Sequence, residues 1–460
     1  MAASTVPDAQ PPRTFAVSGP RGLRQLHYLA RFLRNYSDAN VEMLREFGDV
    51  VRIRVPTPHL AFFHPRHVRH ILRDNVRNYP KSRQYTVMLR PLLGEGIFVS
   101  EGELWARQRR LMAPEFREAS VARFLPAMAR CADELFAAWA PRVAAGAPID
   151  VSADMMRLTL WVIGAALFRD DFRAETEVIG HALGVCLEHA TRQMLTRGLY
   201  TPWLPTPGNW RNRRAERALN AAVRRIIARA HGGDSAAPDV LSRMIAASDP
   251  ESGGRMTAQQ LLDETKSLIL AGHETTSLAL SWALYLLARH PEAEARLAEE
   301  AGRVLGDEPP TPAQVAQLSY TRMVLLEAMR LYPPVPAVSR DAVAEDGIDG
   351  VRVRAGEMVI VAAAATHRHP DFWERPDAFD PERFSPANQP RIEPWSYFPF
   401  LLGRRACMGE HFALLEGTLM LALVVRRYVL TPVDADPIAT RPISTLRMAR
   451  PLVMRARLRT

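Results

Sequence analysis

The sequence predicts a mainly α fold with small β-sheets, and three observations carry that prediction. Helical periodicity, continuous or interrupted, fills most of the 460 residues, only two stretches read as strand hairpins, and a hydrophobic content of 47% is ample for a packed core. In the first hairpin signal Val51, Ile53 and Val55 alternate with Arg52 and Arg54, Pro56 to Pro58 break the run, and His59 to Phe63 resume it. In the second, Val351 to Arg354 and Met358 to Val361 flank the turn Ala355-Gly356-Glu357. The start is polar and proline-rich, which predicts a flexible segment over residues 1–20 ahead of one domain over 21–460. Pro202, Pro205 and Pro207 predict a loop inside that domain, and no internal repeat is present.

Taken in chain order, Gly94-Glu95-Gly96 reads as a plain turn, because a dinucleotide fingerprint would need a third glycine and a following acidic residue. Trp105 and Arg109 lie four apart on an expected helix, where an indole and a guanidinium pack as a cation–π pair. The densest basic stretch, Arg211 to Arg229, carries Leu219, Ala222, Ile226 and Ile227 at helical spacing, so its arginines form the solvated face of an amphipathic helix. Lys plus Arg outnumber Asp plus Glu by 59 to 50, a net charge of +9 that is modest for this length and argues against a nucleic-acid partner.

Thr257 and Gln260 form a capping box from which apolar periodicity runs to Arg289, just before Pro291, predicting one unusually long helix. Its middle reads Ala271-Gly272-His273-Glu274-Thr275-Thr276, placing a glycine and four polar residues where a core-crossing helix is otherwise apolar. Glycine there costs about 1 kcal/mol relative to alanine, and threonine hydroxyls can bond back to the preceding turn. Ala271 and Thr275 share a face, so a small side chain and a hydroxyl can line an oxygen pocket while Glu274 connects it to solvent as a proton source. The ordinary alternative is a polar face turned toward a neighbouring helix. Glu327 and Arg330, three apart in an apolar helix that ends before Pro333-Pro334, read as a buried ion pair that needs a further partner, a surface pair being the alternative.

Three cysteines, Cys131, Cys186 and Cys407, lie far apart, which argues against a disulfide framework and fits a reducing cytoplasm. They are also too few for an iron–sulfur cluster, which takes about four ligands. No apolar run approaches the roughly 20 residues that cross a bilayer, and the start has no signal-peptide core, so the expectation is a cytoplasmic protein without a membrane anchor. Cys407 stands between Gly403 and Gly409, with Arg405 two positions before it. Backbone freed by glycine can turn N–H groups toward a thiolate, so the loop is suited to holding iron.

The pattern FxxGxRxCxG, filled by Phe400, Gly403, Arg405, Cys407 and Gly409, resembles the haem-binding loop of the cytochrome P-450 family, soluble bacterial type, with a departure at Leu401 and Leu402, where many members carry small residues. The likeness runs from Gly48 to Leu458 in order, through Phe47-Gly48-Asp49, the tryptophan helix, the long helix, ExxR, Pro381-Glu382-Arg383-Phe384 and the cysteine loop. It implies a single haem domain with haem b (iron protoporphyrin IX) ligated by the Cys407 thiolate, whose electron donation supports O–O cleavage. By the same resemblance Ala271 lines the oxygen site, Thr275 helps to hold dioxygen and its ordered water, and Glu274 supports proton delivery. Trp105, Arg109, Arg340 and Arg405 are implied as donors to the haem propionates, and Glu327, Arg330 and Arg383 as a structural network. Phe98, Val335 and Ile443 fall at offsets of pocket residues, and their apolar character points to a lipid-like or terpenoid-like substrate. With no fused redox domain in the sequence, electrons are expected from an acidic ferredoxin or flavodoxin with its NAD(P)H reductase, docking at Arg107, Arg110 and Arg404. The rival readings are a peroxide-driven haem-thiolate enzyme, disfavoured by the presence of Glu274 and Thr275, and a haem-binding sensor without turnover.

Overall fold

The computed structural model describes residues 17–55, 57–168, 173–195, 204–232, 240–251, 253–442 and 444–459. Most of the proposed flexible segment 1–20 therefore lies outside the described residues. The packed chain begins before residue 21, since the Ser18 carbonyl accepts the Arg52 N–H at 2.9 Å and pairs that residue's strand.

A helix α1 (Arg24–Phe47) precedes the first hairpin, whose strands β1 (Val50–Ile53) and β2 (His59–Phe62) pair antiparallel with Val51 opposite Ala61. Then follow α2 (Arg83–Leu93), the tryptophan helix α3 (Gly102–Met112), α4 (Leu125–Ala144), α5 (Val151–Leu167), α6 (Arg173–Leu195) and α7 (Pro207–Gly232). Pro207 of the proline cluster opens α7, a position where a missing N–H is tolerated, while Pro202 lies outside the described residues. In α7 the predicted stripe is buried at Leu219, Ala222 and Ile226, and Arg224 and Arg225 face solvent.

The long helix α8 (Ala258–Leu287) starts at the expected capping box, with the Gln260 N–H on Thr257 Oγ1 at 3.2 Å and the Thr257 N–H on Gln260 Oε1 at 2.9 Å. It runs through the largest hydrophobic cluster and is buried on nearly all sides from Leu261 onward. After α9 (Pro291–Val304) comes the ExxR helix α10 (Ser319–Leu331).

The second hairpin reading is corrected by the structure. Val351–Val353 pairs with Asp346–Ile348, whereas Met358–Val361 leaves for another sheet. There it lies parallel to β2 and antiparallel to Val338–Asp341, completing a four-stranded sheet. Val359 and Val361, both fully buried, gain a core face in that sheet that a free two-stranded ribbon would not give them. The turn at Gly356, with φ +77°, hands the chain from one sheet to the other.

The cysteine loop leads into α11 (Glu410–Arg427), which packs beside α8 and α10. Near the C-terminus a short antiparallel pair, β3 (Thr440–Pro442) and β4 (Leu446–Met448), returns toward the middle of α8. Among the described residues no helix is long and apolar enough to cross a membrane.

Candidate functional site

The cysteine loop is a tight structure in which each glycine has a separate task. The Cys407 N–H donates to the Phe400 carbonyl at 2.7 Å, and the Ala406 N–H to that of Gly403 at 3.1 Å. Gly403 has φ +72°, and a Cβ there would stand 2.5 Å from the Leu72 carbonyl oxygen, so only glycine fits. Leu401 itself adopts φ +58°, an uncommon conformation for a side chain of its size. Cys131 and Cys186 are buried, whereas Cys407 is accessible. Even so, desolvation pushes the Cys407 thiol up, opposed by the Gly409 N–H that bonds its sulfur and by the Arg109 charge, while Glu410 adds to the rise.

Trp105, almost fully buried, is ringed by Arg109, Arg404 and Arg405, their guanidinium carbons 5.5 to 5.7 Å from its ring centre. Arg109 donates to the Ala406 carbonyl at 2.8 Å, tying α3 to the residue before Cys407. Arg405 pairs with Glu101 and donates to the Tyr79 carbonyl at 3.2 Å. Arg340 is buried with one donor on the Ser339 carbonyl at 2.9 Å. Lys81 bridges to Arg340 through the backbone, and its Nζ is held by the carbonyls of Ile97 and Ser100 at 2.6 and 2.8 Å.

Glu101 is the carboxylate that faces this largely desolvated group of cations. Burial first, then the Arg405 charge, pulls Arg340 down to about 10; burial pulls Lys81 down to about 7 against the Glu101 charge, with Arg405 and Arg340 adding to the fall. The Nε atoms of Arg340 and Arg405 are buried without a hydrogen-bond partner. Orphaned guanidinium donors beside an accessible, desolvated cysteine fit a cofactor that carries a soft-ligated metal and two carboxylates.

The middle of α8 is accessible as well. In a helix otherwise buried from Leu261 to Leu287, accessibility is confined to Leu270, Ala271, Gly272 and Thr275, one face of about a turn. The Thr275 hydroxyl donates to the Ala271 carbonyl at 2.6 Å, and the helix runs on without a break. Gly272 serves packing more than distortion, because a methyl there would collide with the Ile163 side chain of α5. Glu274 points away from that face. It is buried, and its Oε1 accepts from Thr445 Oγ1 and from Arg447 Nε, each at 2.7 Å, with Arg447 Nη2 at 2.6 Å completing the ion pair. Thr445 and Arg447 carried no signal in the sequence; they meet Glu274 only because the β3–β4 pair returns to α8.

Glu327 and Arg330 are both fully buried and form a bidentate pair at 2.8 and 2.7 Å. The partners of the guanidinium are the carbonyls of His367, Pro376 and Ala378, at 2.7 to 2.9 Å, with Trp373 below its plane. Arg383 stands 3.5 Å from Glu327 as an ion pair without a hydrogen bond, its own Nη2 donating to the Arg375 carbonyl at 3.0 Å.

Of the pocket positions, Phe98 and Val335 are half-buried and Ile443 lies outside the described residues. Phe98 rides on a loop stitched to α8, since the N–H groups of Glu95 and Ile97 donate to Asp263 and Glu264, each at 3.1 Å. Methyls on Gly94 or Gly96 would collide with Asp263 and Ser267, which is why this turn carries glycines. Among the basic residues expected to be spare, Arg110 is corrected: it pairs with Asp249, Glu103 and Glu251. Arg107 donates to the Arg255 carbonyl at 2.7 Å, and Arg404 is exposed over Trp105.

Comparison with known proteins adds to this geometry. A family model described as Cytochrome P450 matches residues 23–454. Cyclooctatin synthase of Streptomyces melanosporofaciens is 37% identical over 410 residues, 88% of this chain and 88% of its own. Cyclooctat-9-en-7-ol 5-monooxygenase of the same organism is 32% identical over 388 residues, covering 84% and 83% of the two chains. Pentalenene oxygenase of Streptomyces avermitilis is 31% identical over 419 residues, covering 90% and 91%.

Proposed function

The chain belongs to the cytochrome P450 family and is an oxygen-incorporating oxidoreductase, and we propose that it is a monooxygenase inserting one atom of dioxygen into a terpenoid. The observation that carries this reading is the pairing of an accessible, desolvated Cys407 with a single accessible turn of α8 at Ala271 and Thr275. The names of the three similar proteins, a cyclooctatin synthase, a cyclooctat-9-en-7-ol 5-monooxygenase and a pentalenene oxygenase, support a terpenoid over other apolar substrates.

Cys407 would ligate the iron of haem b, with Trp105, Arg109, Arg340 and Arg405 receiving its propionates. When bound, haem supplies oxygen activation and O–O cleavage, which thiolate donation favours. The protein's share is separable. The Gly409 N–H stabilises negative charge on the sulfur, and Arg109 adds a fixed positive charge beside it. Ala271 leaves room above the site, and the Thr275 hydroxyl, which already donates to Ala271, is free to accept a bond from water there. Glu274, held in the interior by the partly exposed Arg447, is the acid placed next to that hydroxyl in sequence. Phe98 and Val335 exclude water from the substrate side. An acidic ferredoxin or flavodoxin would dock over Arg404, on the cysteine side of the molecule.

The test is turnover of purified protein on a panel of cyclic terpenes with isotopically labelled dioxygen and a ferredoxin–reductase pair. One labelled oxygen atom in the product is expected. Turnover with hydrogen peroxide alone would favour the peroxide-driven reading, and thiolate haem binding without turnover under either condition would favour the sensor.

A further inference from the structure

We propose that Arg447 and Thr445 are positioning residues for proton delivery, clamping the Glu274 carboxylate to the β3–β4 pair so that it is held in one orientation between the interior of α8 and the partly exposed Arg447. The proposal rests on the reading of Glu274 as the acid that supports proton delivery.

Burying a carboxylate in the middle of a core-crossing helix is costly unless charge and hydrogen bonds compensate it. Glu274 is 2% exposed, and its Oε1 takes two hydrogen bonds, from Thr445 Oγ1 and Arg447 Nε, with Arg447 Nη2 in ion-pair contact at 2.6 Å. Arg447 lies in β4 and Thr445 immediately precedes that strand. Residues 445 and 447 alternate with Leu446, so their side chains leave the same face of the strand, here the face toward α8. The strand is itself fixed at Leu446, whose carbonyl accepts the Trp282 indole N–H at 3.0 Å and whose N–H donates to the Pro334 carbonyl at 2.9 Å. Trp282 lies about two turns beyond Glu274 on α8, so one helix supplies both the acid and the anchor of its clamp.

The arginine also sets the direction of access. Its side chain is 24% exposed while that of Glu274 is 2% exposed, so the pair spans from solvent to the interior. A guanidinium keeps its proton, and therefore Arg447 orients the carboxylate without relaying protons itself. No competing charge stands beside it on the helix. His273, buried and with both ring nitrogens unpartnered, is held neutral, its pKa pulled down to about 4 by burial. Pro334, the other anchor of the strand, precedes the pocket position Val335, so the clamp is tied to the backbone that borders the substrate.

The experiment compares Arg447→Ala, Arg447→Lys, Thr445→Val, Glu274→Gln and the double variant Arg447→Ala/Glu274→Gln in the haem-loaded enzyme. Product formed per NAD(P)H consumed and the solvent deuterium isotope effect on kcat are measured, together with substrate Kd and the carbon monoxide spectrum. Arg447→Ala is expected to lower product per NAD(P)H by about tenfold and to raise the isotope effect, with substrate Kd and the spectrum held within about twofold. Arg447→Lys restores most of the coupling, and the double variant is no worse than Glu274→Gln alone, as expected for residues acting through one carboxylate. If Arg447→Ala does not accumulate as folded protein, Thr445→Val, which removes one donor and no charge, is expected to shift the same two readouts in the same direction by a smaller amount. Full coupling in Arg447→Ala or Thr445→Val alongside uncoupling in Glu274→Gln overturns the clamp alone. A multiplicative loss in the double variant overturns it too, whereas an unaffected Glu274→Gln removes the underlying reading and the clamp with it.

Discussion

At the scale of single residues, the site is governed by what each side chain would leave behind if removed. Arg330 has five hydrogen bonds, two of them on Glu327, so Arg330→Ala leaves that fully buried carboxylate to the Asp380 N–H and the more distant Arg383. A loss of about 3 to 5 kcal/mol is expected, seen as little or no soluble, haem-loaded protein. Normal yield and haem content would mean that the carbonyls of the surrounding loop, not the arginine, hold this corner together. Cys407→His should abolish the red-shifted Soret band of the carbon monoxide complex, because the other two cysteines are buried elsewhere in the core. Persistence of the band in that variant, with its loss in Cys131→Ser, would move the ligand to Cys131. Gly403→Ala brings a side chain to φ +72° and against the Leu72 carbonyl, and it is expected to lower the melting temperature and haem occupancy together.

At the scale of elements, the loop carrying Phe98 and the helix α8 behave as one unit, joined through Asp263 and Glu264. Burial raises the Glu264 carboxyl to about 8, partly offset by the Ile97 N–H it accepts. The folded chain then binds more protons at this site than the unfolded chain between its ordinary value of 4.5 and about 8. The site's contribution to stability is complete below that window and is lost as pH rises through it. Denaturant midpoints measured from pH 5 to pH 8 should fall more steeply for the natural protein than for Glu264→Gln; parallel curves would show that this carboxyl is already ionised in the fold. On the same helix Thr275→Ala removes a hydroxyl from the only accessible turn while leaving the backbone hydrogen bonds of α8 intact. Reducing equivalents should then be diverted to peroxide with substrate affinity retained, and an unchanged ratio of product to NAD(P)H would take Thr275 out of the mechanism.

At the scale of the whole molecule, the excess of positive charge is not spread evenly in its availability. Arg110 is consumed by three carboxylates and Arg107 by a carbonyl, while Arg404 stands exposed over Trp105 on the side of the cysteine loop. An acidic electron donor attracted to that side should lose affinity as salt shortens the Debye length from about 10 Å at 0.1 M. Arg404→Glu is expected to raise the donor's KM several-fold with substrate Kd unchanged. If neither salt nor this reversal alters the donor dependence, docking lies on another face.

Features written in local spacing were legible in the chain alone. The capping box at Thr257, the small-residue and hydroxyl pair at Ala271 and Thr275, the ExxR pair and the glycines around Cys407 are each read within a turn or a loop, and each stands where local rules put it. The tertiary structure decided what depends on chain returning from far away. Met358–Val361 joined a distant strand in preference to its near neighbour, because burial of Val359 and Val361 outweighs the ease of closing a short turn. Glu101 on Arg405, the carbonyls on Arg330, and Arg447 on Glu274 pair residues separated by up to 304 positions, and such partners are selected by the charge left buried when the helices pack, a quantity that no window of sequence contains.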